Sequence, residues 1–217
     1  MTAIFSGLSE YVINGDSERA RNECERLLNE NADPRAILKE GLIEGMRVVG
    51  EKMRDGEYYV TDVLLAADAM NAGLEILKPH LSQDESETVP LKVVLGTVEG
   101  DLHSIGKNLV KIMWEGAGIR VLDLGVDIPT GRFVEQSKDA AVLGMSALMT
   151  TTTPALKKVI QAVKEAGFRD RVQILVGGAA VTEKYATSIG ANGYGKDAYE
   201  ALVIVKSIMP VSYTHLR

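Results

Sequence analysis

The sequence predicts an α/β protein: an N-terminal four-helix bundle followed by a flavodoxin-like (Rossmann-like), doubly wound parallel sheet of five strands. Three observations carry this prediction. Apolar residues recur at helical spacing through the N-terminal part. A polar, acidic stretch ending in Pro90 then interrupts all periodicity. Beyond it, short runs rich in β-branched residues alternate with helical patterns, which is the signature of parallel strands joined by crossover helices.

Taken in order, Ile37, Leu38, Leu42, Met46, Val49 and Met53 share one helical face. Asp33 is placed to cap this helix, Pro34 suits its first turn and Gly56 its stop. A further helix is expected to start near Thr61 or Asp62, to carry Val63, Leu64, Ala67, Met70, Leu74 and Leu77 on one side, and to end before Pro79. With two shorter helices ahead of them these make a small antiparallel bundle over 1–82. Residues 83–90 read as a linker, and 91–210 as the sheet domain. Strands are expected over 93–97, 120–124, 141–146, 173–176 and 192–194, with helices over 107–115 and 155–166 among the connections. A five-stranded chain of this kind takes an order in which the first and third strands flank the ligand crevice. Residues 211–217 follow Pro210 and continue no pattern; they read as a disordered or non-native tail, and His215 within it receives no role.

Bulk properties exclude several function classes. The 217 residues carry 24 basic and 30 acidic side chains, a formal charge of −6, with no Lys/Arg-rich stretch to track a phosphate backbone, so nucleic acid is not an expected partner. No run is long and apolar enough for a membrane span, and the N-terminus lacks a secretory pattern. The single cysteine, Cys24, forms no internal disulfide or thiolate cluster. A cytoplasmic protein is the expectation.

The chemistry is expected at the carboxyl ends of the strands, on three loops. After the first strand stands Asp101-Leu102-His103-Ser104-Ile105-Gly106, after the third Ser146-Ala147-Leu148, and after the fourth Gly177-Gly178. In an extended loop Asp101 and His103 project to the same side, so the carboxylate can hold one ring nitrogen while the other binds a metal. Each element alone has a blander reading: a surface histidine, a chance Ser-x-Leu, a βα turn. Thr150 to Thr153 before Pro154 equally suit helix capping, a role that can coexist with others. Met46, Met53 and Met70 read as bundle core, Tyr58 and Tyr59 as packing or ligand-facing, and His80 as a surface residue. A phosphate loop is disfavoured, because five residues rather than four separate Gly100 from Gly106 and Asn108 follows Lys107.

Together the three loops resemble the cobalamin-binding domains, whose pattern of Asp-x-His-x-x-Gly, Ser-x-Leu and Gly-Gly they meet in full. Gly193-Tyr194-Gly195-Lys196-Asp197-Ala198 resembles that family's nucleotide-tail loop. Gly45-Met46, Gly50, Gly56-Glu57-Tyr58-Tyr59 and Ala66-Ala67-Asp68-Ala69-Met70 resemble the helical cap of methyltransferase corrinoid proteins, so the likeness spans about residues 1–209. The resemblance implies cobalamin or a related corrinoid as cofactor, with His103 as lower axial ligand to cobalt in place of the cofactor's own dimethylbenzimidazole. It implies a proton relay from the axial ligand through Asp101 to a hydroxyl. By spacing from Ser146 that hydroxyl is Thr152, with Thr150, Thr151 and Thr153 close enough to compete. Further cofactor contacts are implied at Leu102, Ser104, Ile105, Gly106, Ser146, Leu148, Thr150, Gly177, Gly178, Tyr194, Gly195, Asp197 and Ala198.

The function so implied is that of a carrier, not an enzyme on its own, in anaerobic one-carbon metabolism. It accepts a methyl group onto cobalt(I) from a substrate-specific methyltransferase and passes it to a second, corrinoid-to-acceptor methyltransferase with a thiol or folate acceptor. A reductive activase is a further implied partner. The helical cap would protect the cofactor's upper face and swing away about the 82–90 hinge. Two other readings are a cobalamin-dependent sensor, weakened by the lack of a DNA-binding module, and the cobalamin subunit of an adenosylcobalamin isomerase, which the helical cap argues against.

Overall fold

A computed structural model of the chain describes residues 4–80 and 92–208. The expected linker and tail lie outside these residues. The chain divides into two compact units, one centred on the N-terminal helices and one on the sheet.

In the first unit, α1 (Ser6–Ile13) buries Leu8 and Val12, and α2 (Ser17–Asn29) buries Ala20, Cys24 and Leu27. The Asp16 carboxylate accepts the Arg19 N–H at 3.0 Å, satisfying one of the orphan donors at the start of α2. The helix from Pro34 is capped by Asp33 as expected. It runs as α3 (Pro34–Ala36), a π-helical stretch (Ile37–Ile43) and α4 (Glu44–Arg54). The π stretch is unannounced by the apolar spacing. It faces α1, where a Cβ on Gly41 would clash with Leu8 and one on Gly45 would come within 2.8 Å of Val12. The Ser9 hydroxyl reaches across to the carbonyls of Glu40 and Gly41 at 3.2 and 3.0 Å, meeting acceptors in the widened turn.

The helix α5 (Val60–Leu77) starts one or two residues before the predicted Thr61 or Asp62, because Tyr59 is its N-cap and the Asp62 carboxylate accepts the Tyr59 N–H at 2.8 Å. Pro79 follows in a short 3₁₀ turn with His80 exposed. Gly73 lets α5 approach α2, since a Cβ there would stand 2.9 Å from Cys24 Sγ. Tyr58 packs locally, its hydroxyl donating to the Ile13 carbonyl at 3.1 Å, whereas Tyr59 is exposed.

The second unit is a parallel sheet of β1 (Lys92–Thr97), β2 (Val121–Asp123), β3 (Ala140–Ser146), β4 (Gln173–Gly177) and β5 (Gly193–Gly195) in the order β2-β1-β3-β4-β5. This is the predicted doubly wound arrangement, with β1 and β3 adjacent at the switch point. The helices α6 (Ile105–Gly116), α7 (Thr130–Ser137), α8 (Thr153–Glu165), α9 (Glu183–Ser188) and α10 (Ala198–Ile208) complete it. Helices α7 to α9 pack on one face, around Phe133, Leu143, Leu156, Ile174 and Val176. On the other, the Trp114 indole of α6 lies against Gly144 and Ile204 of α10 against Gly193. No helix among the described residues is long and apolar enough to cross a membrane.

Cys24 is fully buried, and burial pushes its thiol up to about 12. A thiol reagent should therefore leave the native chain unmodified and label one site once denaturant is added. Rapid labelling of the native chain would contradict the bundle packing.

Candidate functional site

The register of the sheet brings the three loops to one edge. Thr97, Ser146, Gly177 and Gly195 are successive partners across β1, β3, β4 and β5, so the chain leaves each strand at the same level. From Thr97 it turns through Gly100, whose φ of +82° is a left-handed value that glycine adopts freely. It then reaches Asp101, which is fully buried.

Four hydrogen bonds converge on that carboxylate. Oδ1 accepts the His103 backbone N–H at 3.1 Å and pairs with His103 Nδ1 at 2.7 Å. Oδ2 accepts the Leu148 N–H at 2.7 Å and the Thr152 hydroxyl at 2.8 Å. Burial pushes the carboxyl up, but these four donors outweigh it and hold Asp101 well below the usual carboxylate range. An ionised carboxylate only accepts, so Nδ1 carries a ring proton, which in the neutral ring leaves the lone pair on Nε2. The imidazole itself is about half exposed, 51% of its side-chain surface being accessible. The Thr97 hydroxyl donates to the His103 carbonyl at 3.0 Å and steadies the loop from below.

Of the four consecutive threonines, Thr152 is the one whose hydroxyl reaches Asp101; it is buried, whereas Thr150 and Thr151 are exposed and Thr153 donates to the Thr150 carbonyl at 2.9 Å. Thr152 stands at the N-cap of α8 but makes no side-chain cap bond, so the two suggested roles do not coexist in its hydroxyl. That oxygen also lies 2.9 Å from the Met149 carbonyl, and its single proton serves one acceptor at a time.

Other predicted positions have different surroundings. Leu102 and Ile105 are 72% and 73% exposed, an apolar pair flanking His103. Leu148 and Met149 are partly exposed, and a Cβ on Gly106 would meet open space. Gly177 and Gly178 are required by the fold itself. A Cβ on the first would stand 2.8 Å from the Gly195 carbonyl oxygen, and the second has φ +116° against the Ala147 carbonyl. Asp197 caps α10, its carboxylate accepting the Glu200 N–H at 2.7 Å, and Ala198 and Gly195 pack inside. Tyr194 packs on the core. Ser104 and Ser146 are half-buried, with Ser104 offering its carbonyl to the Asn108 N–H at 2.8 Å.

Sequence reasoning missed the exit of β2. Lys107 is buried, its ammonium 2.6 and 2.7 Å from the two oxygens of Asp123 and 2.7 Å from Asn108 Oδ1. Asp123 also accepts the Gly125 N–H at 2.9 Å, and Asp127 accepts the Gly100 N–H at 2.7 Å. The signal was Asp123-x-Gly125-x-Asp127, one carboxylate ending the strand that neighbours β1 and a second four residues on.

Comparison with known proteins decides the family. Residues 91–203 match the family described as the B12 binding domain, and residues 4–78 match a second B12 binding domain family. The chain belongs to the B12-binding corrinoid proteins. It is 40% identical over 209 residues to trimethylamine corrinoid protein 1 of Methanosarcina acetivorans, covering 95% of this chain and 97% of that one. Dimethylamine corrinoid protein 1 of the same organism is 42% identical over 179 residues, 82% of this chain and 84% of that one. Among solved structures, the methanol:cobalamin methyltransferase complex MtaBC of Methanosarcina barkeri superposes with a TM-score of 0.84 at 28% identity, covering 95% of this chain and 80% of that chain.

The cofactor of this corrinoid protein is therefore cobalamin or a related corrinoid, and the residues present fit it. A metal supplied with its own macrocycle needs from the protein only an axial ligand. Among the described residues no cluster of three or more His, Cys, Asp and Glu stands ready to hold a bare ion. The site instead offers one half-exposed imidazole between two exposed apolar side chains, as a flat, largely apolar ring requires.

The depressed Asp101 carboxyl predicts an acid sensitivity. Its stabilisation is fully present above the unfolded-chain value of about 3.9 and is lost as pH falls through the lower folded value. An Asp101→Asn variant should lose roughly 2–4 kcal/mol at neutral pH, because one amide face opposes donors with a donor. Denaturant titrations should also show a smaller drop in stability below about pH 4 than the wild type has. Equal acid slopes for both chains would contradict the carboxylate assignment.

Proposed function

We propose that this corrinoid protein is a methyl carrier, loaded by a substrate-specific methyltransferase and unloaded by a second methyltransferase whose acceptor is a thiol or folate. A methylated amine is the donor class we propose, since relatives named for trimethylamine and dimethylamine are 40% and 42% identical, whereas the methanol complex is 28% identical. The observation that carries the reading is the Asp101–His103–Thr152 chain at the sheet's carboxyl edge.

In this reading the corrinoid, when bound, would supply a cobalt centre for methyl uptake and release, and His103 Nε2 would be the protein atom that holds it. Asp101 selects the tautomer that leaves Nε2 unprotonated and raises its basicity. The buried carboxylate 2.7 Å from Nδ1 would hold the ring in place whether or not Nε2 is engaged, and its charge would favour a proton on the ring over none. The Thr152 hydroxyl adjusts that preference by donating to Asp101 or turning to the Met149 carbonyl. Leu102, Ile105 and Leu148 would cover apolar ring surface and exclude water, and the open space at Gly106 would admit the nucleotide tail.

The test is reconstitution with hydroxocobalamin, desalting, and comparison of visible spectra. The wild type should retain the corrinoid with a histidine-ligated spectrum that His103→Ala lacks, and Asp101→Asn should weaken ligation about 10- to 100-fold. A reductively activated wild-type protein should then be methylated in the presence of a trimethylamine or dimethylamine methyltransferase. Identical wild-type and His103→Ala spectra would overturn the ligand assignment, and a reduced, corrinoid-loaded protein that takes no methyl group when either methyltransferase is supplied with its methylated amine would overturn the methylated-amine carrier.

A further inference from the structure

Beyond their ladder the exits of β1 and β2 stay zipped together. The Thr97 N–H donates to the Gly125 carbonyl and the Ile128 N–H to the Thr97 carbonyl, both at 3.0 Å, and Val98 bridges Ile128. Within this zipper one residue grips the histidine loop twice. Asp127 Oδ1 accepts the Gly100 N–H at 2.7 Å, and the Asp127 N–H donates to the Asp101 carbonyl at 3.0 Å. Asp127 holds φ +55°, a left-handed value that Asp and Asn tolerate better than other side chains do. Its partner Gly100 is left-handed as well, so two tight turns face each other across the pair.

We propose that Asp127 is a positioning residue for His103: from the neighbouring strand's exit it clamps the Gly100–Asp101 backbone and so aims the carboxylate that orients the imidazole. The proposal rests on the reading of His103 as axial ligand. Asp101 has its two oxygens committed to different loops, so a small rotation of its backbone lengthens the Nδ1 bond on one side or the Leu148 and Thr152 bonds on the other. The clamp at Gly100 resists that rotation. At the far end of the loop, Asp123 performs a parallel task through the buried Lys107, so segment 101–106 is held between two carboxylates four residues apart on one strand exit. Asp127 is the better subject for a test, because removing Asp123 would strand a buried ammonium and disturb the fold.

Two variants separate the hydrogen bond from the backbone conformation. Asp127→Gly keeps the left-handed turn and removes the acceptor; Asp127→Asn keeps both. Each full chain is loaded with cobalamin and titrated with potassium cyanide, which competes with imidazole for the lower face, while the visible spectrum reports displacement. The expected result is that Asp127→Gly is half-displaced at about 5-fold lower cyanide, the worth of one lost hydrogen bond, and that Asp127→Asn stays near wild type. In the corrinoid-free chain, amide exchange at Gly100 should accelerate in Asp127→Gly only. If the glycine variant does not fold, amide exchange at Gly100 in the wild-type chain decides, and exchange as fast as that of an unprotected amide overturns the clamp. Wild-type displacement in a folded variant lacking the acceptor, or an Asp127→Asn shift as large as that of Asp127→Gly, overturns the proposal. His103→Ala behaving as wild type would instead overturn the axial-ligand reading beneath it.

Discussion

The arrangement depends on an ionised carboxylate placed where water does not reach it. Taking a carboxylate out of water costs several kcal/mol even after relaxation, and only a nearly complete set of donors offsets that cost. Asp101 obtains its set from three places: its own loop, the first residues after β3, and the N-cap of α8. Each donor is held by something other than Asp101. The Leu148 N–H follows from the β3–β4 register, Thr152 from the start of α8, and His103 from the turn that begins at Gly100. The loops therefore cannot move independently without exposing a buried charge, which keeps a half-exposed imidazole in one orientation.

The strand order explains why this is affordable only here. In β2-β1-β3-β4-β5 the crossovers from β1 and β3 leave toward opposite faces, so their exits diverge and leave a crevice. Asp101 spans that crevice from the β1 side and is met by the β3 side. The same order makes β2 the other neighbour of β1, so whatever follows β2 also borders the histidine loop. Asp123 and Asp127 use that adjacency, one on Lys107 and the other on Gly100.

Much of this was legible in the sequence because it is local. Asp101 and His103 are two residues apart, and an extended loop puts them on one side, as the 2.7 Å contact bears out geometrically. The strand order followed from counting β-rich runs, and the caps at Asp33 and Gly56 from residue chemistry. What was not legible is pairwise and distant. Spacing from Ser146 did favour Thr152 among four like threonines, but the contact itself depends on where the first turn of α8 begins. Lys107 entered the sequence reading only as the lysine of a disfavoured phosphate loop, because its partner lies sixteen positions away at the end of β2. For Gly177 and Gly178 the sequence offered both a ligand contact and a βα turn, and the close backbone at the strand ends accounts for glycine there, while Asp197 also serves as the cap of α10. The π-helical turn at Ile37–Ile43 has no sequence period of its own and answers to the close crossing of α1.

The central claim is that the buried carboxylate holds the imidazole by Nδ1 before any cofactor arrives. Nitrogen-15 NMR of the corrinoid-free chain at neutral pH, with His103→Gln to assign the signals, reads this directly. A ring locked as the Nδ1–H tautomer is the predicted result. An Nε2–H tautomer, or the averaged signals of a freely exchanging imidazole, would contradict the account.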